Sequence, residues 1–255
     1  MTEPGFVEDL DLEPMIRDEA RVEADAFAGE LAAAYEGLDG KALLEPMIRR
    51  IFPGRIAVVS SFGTEAAVLL AMVAEINPAV PVIFLDTGKH FEETLDYRDE
   101  LVAELGLTDV RSVSPDWSQL LARDPEGSLW QKNPNACCHL RKVLPLRRAL
   151  EGFDAWITGR KRYQGEVRWD LPAFEAVDGK VKINPLAGWS LDRVEAAFEA
   201  RGLTQHPLLA DGYLSVGCEP CTQPTAPGTD LRSGRWAGLA KSECGIHLAP
   251  LGGCC

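Results

Sequence analysis

The apolar positions of this chain change period several times, and each change marks an element. Residues 15–50, PMIRDEARVEADAFAGELAAAYEGLDGKALLEPMIRR, carry Ala, Glu and Leu at helical spacing and predict two helices broken at GLDG. RIAVVSSFG is a short β-branched run closed by a Ser/Gly turn, and TEAAVLLAMVAEI after it has helical composition. The same strand–loop–helix unit returns as PVIFLDTG with KHFEETLDYRDELVAEL, and again as DVRSVSP with a following helix. RKVLPLRRALEG predicts a further helix leading into DAWITG, a fourth strand. VRWDLPAFEAVDGKVKINPLAGWS predicts a hairpin turning at Asp178-Gly179, and LDRVEAAFEARG a helix ended by Gly202. After Pro207 the periodicity stops, and the remaining residues are rich in Gly, Pro and Cys.

Continuous apolar strands alternating with helices predict an α/β fold: an open, mostly parallel sheet covered on both faces. Three parts are expected: an N-terminal helical extension (1–50), a nucleotide-binding α/β domain (51–205) and a loop-rich C-terminal segment (206–255). In such sheets ligands bind beyond the carboxyl ends of the strands. Those ends carry Ser60, Ser61 and Gly63; Asp86, Thr87 and Gly88; and Thr158, Gly159 and Arg160. Any one of them reads as an ordinary turn, but three in succession predict a nucleotide-sized cleft. SSFGTEAAVLL places small residues between a strand and a helix N-terminus, where backbone N–H groups and the helix dipole hold anions. It is neither a Walker A loop nor a dinucleotide fingerprint. It resembles the S-G-G-x-D-S loop of PP-loop pyrophosphatases, with Phe62, Glu65 and Ala66 replacing a glycine, the aspartate and the final serine. Those changes suit an adenylate-type nucleotide better than a triphosphate.

Composition is globular, 46% hydrophobic and 25% charged, with a net charge of −13. That charge argues against a nucleic-acid or membrane-surface binder, which needs a cationic face, but leaves room for a small cationic pocket. No secretory pattern opens the sequence and no apolar run is long enough to span a bilayer, so the expected address is the cytoplasm. In a reducing compartment clustered cysteines point to metal binding or catalysis rather than disulfides.

The seven cysteines fall as Cys137-Cys138, Cys218-x-x-Cys221, Cys244 and Cys254-Cys255. The first two pairs could hold zinc as Cys₄ or a [4Fe–4S] cluster. Zinc sites usually pair C-x₂₋₄-C knuckles. Adjacent cysteines on an extended, strained backbone would instead reach two irons of a cubane, which favours the cluster. Arg141 and Lys142 would moderate its charge. Cys244 stands apart, with Arg232, Arg235, Lys241 and His247 nearby in LRSGRWAGLAKSECGIH, a basic stretch that favours a nucleophilic thiolate. Cys254-Cys255 reads as a remnant, a metal clip or an internal resolving pair.

With SSFGTEAAVLL, LDTGKHFEET, CCHLRKVLPL, ITGRKRYQG, SVGCEPCT, RSGRW and ECGIH together, the chain resembles the iron–sulfur adenylyl-sulfate reductases of the phosphoadenylyl-sulfate reductase family. The resemblance implies a PP-loop-like fold and a [4Fe–4S] cluster on Cys137, Cys138, Cys218 and Cys221. It implies adenosine 5′-phosphosulfate lying near Ser60, Ser61, Gly63, Leu85 and Gly159, with Lys142, Arg232, Arg235 and His247 on the phosphosulfate and Arg160 and Arg162 adding positive charge. Cys244 would attack sulfur to give an S-sulfocysteine, which thioredoxin or a glutaredoxin-like dithiol resolves to sulfite, a step of sulfate assimilation. A homo-oligomer is common in the family. Gly165 stands where relatives often have serine. A 3′-phosphorylated substrate, dual specificity and a non-catalytic iron–sulfur or zinc module are the alternatives. A PP-loop tRNA-modifying enzyme would want the intact loop and a basic face.

Overall fold

The computed structural model of the chain describes residues 13–226 and 228–247. Six strands, β1 (Ile56–Ser60), β2 (Val82–Leu85), β3 (Val110–Val113), β4 (Ala155–Ile157), β5 (Phe174–Val177) and β6 (Lys180–Ile183), form one sheet in the order β3-β2-β1-β4-β6-β5. All neighbours run parallel except the β5–β6 hairpin. Its turn has Asp178 at φ +52° and Gly179 at φ +72°, the left-handed pair that a tight hairpin with right-twisted strands requires.

β1, β2 and β4 are buried along their whole length because both faces of the sheet are covered. Ile56, Val58, Phe84 and Ile157 point into the larger core, shared with α3 (Ala66–Ile76), whose residues are apolar almost all round. Ala57, Val59, Ile83 and Trp156 point the other way, onto Leu146 and Leu150.

The N-terminal helices, α1 (Glu13–Ala34) and α2 (Gly40–Pro46), break at GLDG, with Gly37 at φ +79°. α1 packs on β5 and β6 and so covers one edge of the sheet. Leu43 and Leu44 of α2, with Met47 and Ile48 after it, enter the same core as the sheet. The remaining helices are α4 (Glu92–Leu105), α5 (Trp117–Arg123), α6 (Leu129–Lys132), α7 (Pro134–Cys138), α8 (Leu144–Ala149) and α9 (Leu191–Arg201). Gly202 ends α9 in the left-handed conformation, freeing its last carbonyls to be capped. Beyond Pro207 the described residues form short 3₁₀ turns and loops, tied to the body by bridges such as His90–Cys218. No helix among the described residues is long and apolar enough to cross a membrane.

One contact there has a pH consequence. His206 is buried, its Nε2 3.0 Å from Thr94 Oγ1 and its Nδ1 accepting from Leu208 N. Burial pushes its pKa down to about 4. The unfolded imidazole takes up a proton below about pH 6.5, so the native state loses stability as pH falls from there toward the folded value. Urea unfolding at pH 7.5 and pH 5 is expected to show His206→Gln removing about 2 kcal/mol of that acid sensitivity.

Candidate active site

β1 sits between β2 and β4, so the chain reverses direction across the sheet at β1 and the loops leaving β1 and β4 diverge. The cleft opened there encloses about 1230 Å³, counting its mouth, and is lined by Ser60, Ser61, Gly63, Leu85, Gly159 and Arg160 at the strand ends. Lys142 joins them from the stretch after α7, and Arg232, Arg235, Cys244 and His247 from the C-terminal segment. Most of the sequence-selected residues thus converge, but Asp86, Thr87 and Gly88, which follow β2, are not among the residues lining the cleft. Arg162 does not line the cleft; it is exposed at the surface, where its Nε donates to Leu171 O at 2.9 Å.

The β1–α3 loop turns sharply at Phe62, a non-glycine residue at φ +48°. Its fully buried ring packs edge-on against Phe84, 5.7 Å between centroids, and Ser60 Oγ accepts its N–H. Core packing therefore holds a glycine-like backbone that would otherwise cost about 1 kcal/mol or more. Glu65 occupies the N-cap position of α3 without capping it, and its carboxylate accepts from Lys161 Nζ and Tyr163 Oη, each at 2.6 Å, and from Gln164. The carboxylate lies where a PP-loop aspartate would stand, and neighbouring donors already engage it.

The cleft floor is cationic. Arg160 donates to Glu175 and to Asn184 Oδ1. Beneath that floor and outside the cleft lining, buried Lys182 lies 4.9 Å from the Trp156 ring centroid; burial, with help from Arg160, pushes its pKa down to about 7. His247 stacks on Trp156 at 6.2 Å and 7°. Burial, then the charges of Lys182, Arg160, Arg168 and Arg232, push its pKa well below the ordinary value, so it is neutral. Arg160 Nε, Arg235 Nε and His247 Nδ1 are buried with no hydrogen-bond partner among the described residues, which marks a wall built to meet a ligand.

Sequence reasoning missed two residues central to this floor. Arg168 is buried with its Nε 2.5 Å from Glu243 Oε1, and both residues line the cleft. Glu243 stood inside the quoted ECGIH stretch. Arg168 had no local signal, because only the tertiary fold separates it from the exposed Arg162.

Behind the cleft, Cys137, Cys138, Cys218 and Cys221 line a second, smaller void. Lys142, Arg235 and Trp236 line both spaces and form the wall between them. The extended, strained backbone expected for the adjacent cysteines is not found. Asn133 caps α7 by accepting from Ala136 N, Pro134 occupies its first turn, and Cys138 is helical at φ −63°, ψ −38°. A helix separates neighbouring side chains by about 100°, so both thiols reach one void without strain. Thr87 Oγ1 lies 3.3 Å from Cys218 Sγ, and Arg141 Nη1 donates to Thr87 O at 2.9 Å. Arg141 also pairs with Asp124 at 2.6 Å, both side chains at most 9% exposed. Asp124→Ala is expected to cost about 3 kcal/mol in chemical denaturation, because it strands a buried guanidinium beside α7.

Burial raises the pKa of the Cys137 and Cys221 thiols and pushes Cys138 up to about 12, so as free groups these are neutral. No three His, Cys, Asp or Glu side chains among the described residues converge as one metal ion would need. Four thiols spread around one void, with cationic neighbours, fit a multi-iron cluster better than a single tetrahedral ion. Cys254 and Cys255 lie outside the described residues.

A cationic crevice at the switch point of an α/β sheet, with a half-buried thiol in its wall and four thiols behind it, defines a nucleotide-site protein built for cysteine chemistry. Residues 55–224 match the phosphoadenosine phosphosulfate reductase domain, and the chain belongs to that family. It is similar to proteins named adenosine 5′-phosphosulfate reductase from Mesorhizobium japonicum, 54% identical with 89% of each chain covered, and from Mycolicibacterium smegmatis, 39% identical over 94% of this chain and 99% of that one. A solved phosphoadenylyl-sulfate reductase from Candida auris, in complex with phosphate, matches at TM-score 0.65 and 28% identity, covering 77% of this chain and 96% of that one. A Candida glabrata FMN adenylyltransferase, at TM-score 0.52 and 13% identity, covers 87% of this chain and 70% of that one, and shares the fold alone.

Proposed function

We propose that the chain reduces adenosine 5′-phosphosulfate to sulfite and AMP, through a sulfo group carried on Cys244. The observation that carries this reading is the cleft itself, where Cys244 shares one space with the polar strand ends and with Lys142, Arg232, Arg235 and His247. The names of the relatives from Mesorhizobium japonicum and Mycolicibacterium smegmatis favour the substrate without a 3′-phosphate.

Ser60, Ser61, Gly63, Leu85 and Gly159 bind the adenosine, and Lys142, Arg160, Arg168, Arg232, Arg235 and His247 face the phosphosulfate. The Cys244 thiolate attacks the sulfate sulfur, an S–S bond forms, the S–O bond to phosphate breaks, and AMP leaves with the bonding pair. Nucleophile and substrate are both anions, so the cations must screen their repulsion and stabilise the charge arriving on AMP. A thioredoxin-like dithiol then attacks Cys244 Sγ and expels sulfite. Its second thiol resolves the mixed disulfide, so the dithiol is oxidised and supplies both electrons.

The four cysteines behind the wall would hold a [4Fe–4S] cluster. When bound, it supplies a fixed anionic charge that orders the α7 region beside Lys142. Burial opposes charge on Lys142, but thiolates at Cys218, Cys244 and Cys138 around it raise its pKa, and as cluster ligands Cys138 and Cys218 would carry that charge. Intact mass of anaerobically purified protein, after incubation with each nucleotide and no dithiol, tests the scheme. One sulfo group on Cys244 from adenosine 5′-phosphosulfate alone is expected. Equal labelling by the 3′-phosphorylated nucleotide would make the enzyme dual-specific, and no adduct with either would overturn the reading.

A further inference from the structure

None of the sequence motifs includes the β5–β6 hairpin, yet the hairpin holds part of the cleft floor. Glu175, in β5, accepts from Arg160 Nη2 through its Oε1, and Asn184, just past β6, presents Oδ1 to the same nitrogen at 3.2 Å. Asn184 is itself fixed on both sides. Its Nδ2 donates to Glu175 Oε1 at 2.6 Å and to Pro172 O at 2.9 Å, while its Oδ1 accepts from Thr158 Oγ1 at 2.7 Å. The backbone carries the same frame, since Asn184 N donates to Ala173 O at 2.8 Å and Thr158 N to Ile183 O at 2.9 Å. The ends of β4 and β6 and the start of β5 thus meet on one guanidinium.

One nitrogen of that guanidinium is left over. Arg160 lines the cleft, its side chain is 9% exposed, and its Nε is buried with no hydrogen-bond partner among the described residues. A guanidinium is a rigid planar fork, so two acceptors on Nη2 also set the direction of its remaining N–H groups. A donor already held in place spares a ligand the cost of ordering a long side chain. Glu175 has a second cation to balance: Lys182 Nζ, fully buried and without a hydrogen bond among the described residues, lies 3.7 Å from Oε1.

We propose that Glu175 is a positioning residue for Arg160. With Asn184 it clamps the guanidinium by one nitrogen and leaves the unpaired N–H to the anionic part of the nucleotide. This inference rests on the function proposed above. Two effects of the carboxylate have opposite signs, which makes the proposal testable. As a charge beside the cleft it opposes an incoming anion, whereas as a clamp it favours one.

Equilibrium binding of AMP and of adenosine is measured on anaerobically purified full-length protein, with circular dichroism confirming the fold. Glu175→Ala is expected to bind AMP about tenfold more weakly, although a negative charge has gone, and to bind adenosine unchanged. Glu175→Gln, which keeps an acceptor for Arg160, is expected to bind AMP at least as tightly as the native chain. In an Arg160→Met background, Glu175→Ala is expected to change AMP affinity no further, because the clamp has nothing left to hold. Since Glu175→Ala strands the Lys182 ammonium, the pair Glu175→Ala with Lys182→Met, set against Lys182→Met alone, repeats the measurement with that charge removed. Unchanged or tighter AMP binding in both alanine proteins would reduce Glu175 to a counter-charge. Equal weakening of adenosine would make it a structural prop, and an undiminished effect without Arg160 would uncouple the two residues. Each of these overturns the proposal. Native protein that binds neither compound would instead overturn the nucleotide reading, and this assignment with it.

Discussion

Cys244→Ser protein is expected to bind adenosine 5′-phosphosulfate about as tightly as the native chain and to reduce almost none of it. On the proposed reading, binding draws on Ser60, Gly63, Gly159 and the cationic floor, none of which the substitution replaces. On the proposed mechanism, turnover draws on the sulfur nucleophile of Cys244 in the cleft wall. An alcohol there ionises far less readily and forms no S-sulfo product, so a fall of about 10⁴-fold or more in kcat is expected, in line with other nucleophile deletions. Calorimetric titration beside a sulfite assay separates the two quantities. A variant that still turned over at a tenth of the native rate would remove Cys244 from the mechanism, whatever its binding.

The second large effect concerns the thiols behind the wall. Cys138→Ser or Cys218→Ser is expected to lose iron and acid-labile sulfide together, and to lose activity by at least about a hundredfold. The reason is geometric and electrostatic. Lys142, Arg235 and Trp236 face both spaces, so disorder on the cysteine side reaches the nucleotide side through the side chains that separate them. Iron analysis, circular dichroism and the sulfite assay on one preparation test this. A Cys138→Ser protein with intact fold and full activity would sink the idea that the cluster organises the site.

Much of this architecture was legible in the chain. The strands announced themselves because a sheet covered on both faces needs unbroken apolar runs, and IAVVS, VIFL and AWI are such runs. Asp178-Gly179 and Gly202 were legible because only a few residue types tolerate the backbone that a tight hairpin or a helix end requires. The convergence of Cys244 with the strand ends followed from recognising a motif, since no local pattern tells a chain where its last loop will lie. What escaped notice depended on long-range packing. The helix beneath Cys137 and Cys138 begins at Asn133-Pro134, ahead of the segment that looked helical. Arg162 and Arg168 are indistinguishable as letters, yet one sits at the surface and the other is buried against Glu243, 75 positions away in sequence. Buried ion pairs of this kind leave no periodicity behind them.

The stacking of His247 on Trp156 makes the enzyme its own optical probe. Trp156 is 1% exposed and lies in the sheet, while its partner belongs to the C-terminal segment that carries Cys244. Lifting that imidazole away changes the polarity and the quenching around a single indole without any attached dye. Replacing the other tryptophans with phenylalanine would leave one emitter, and stopped-flow fluorescence on that protein would read whether and when the imidazole leaves the indole during turnover.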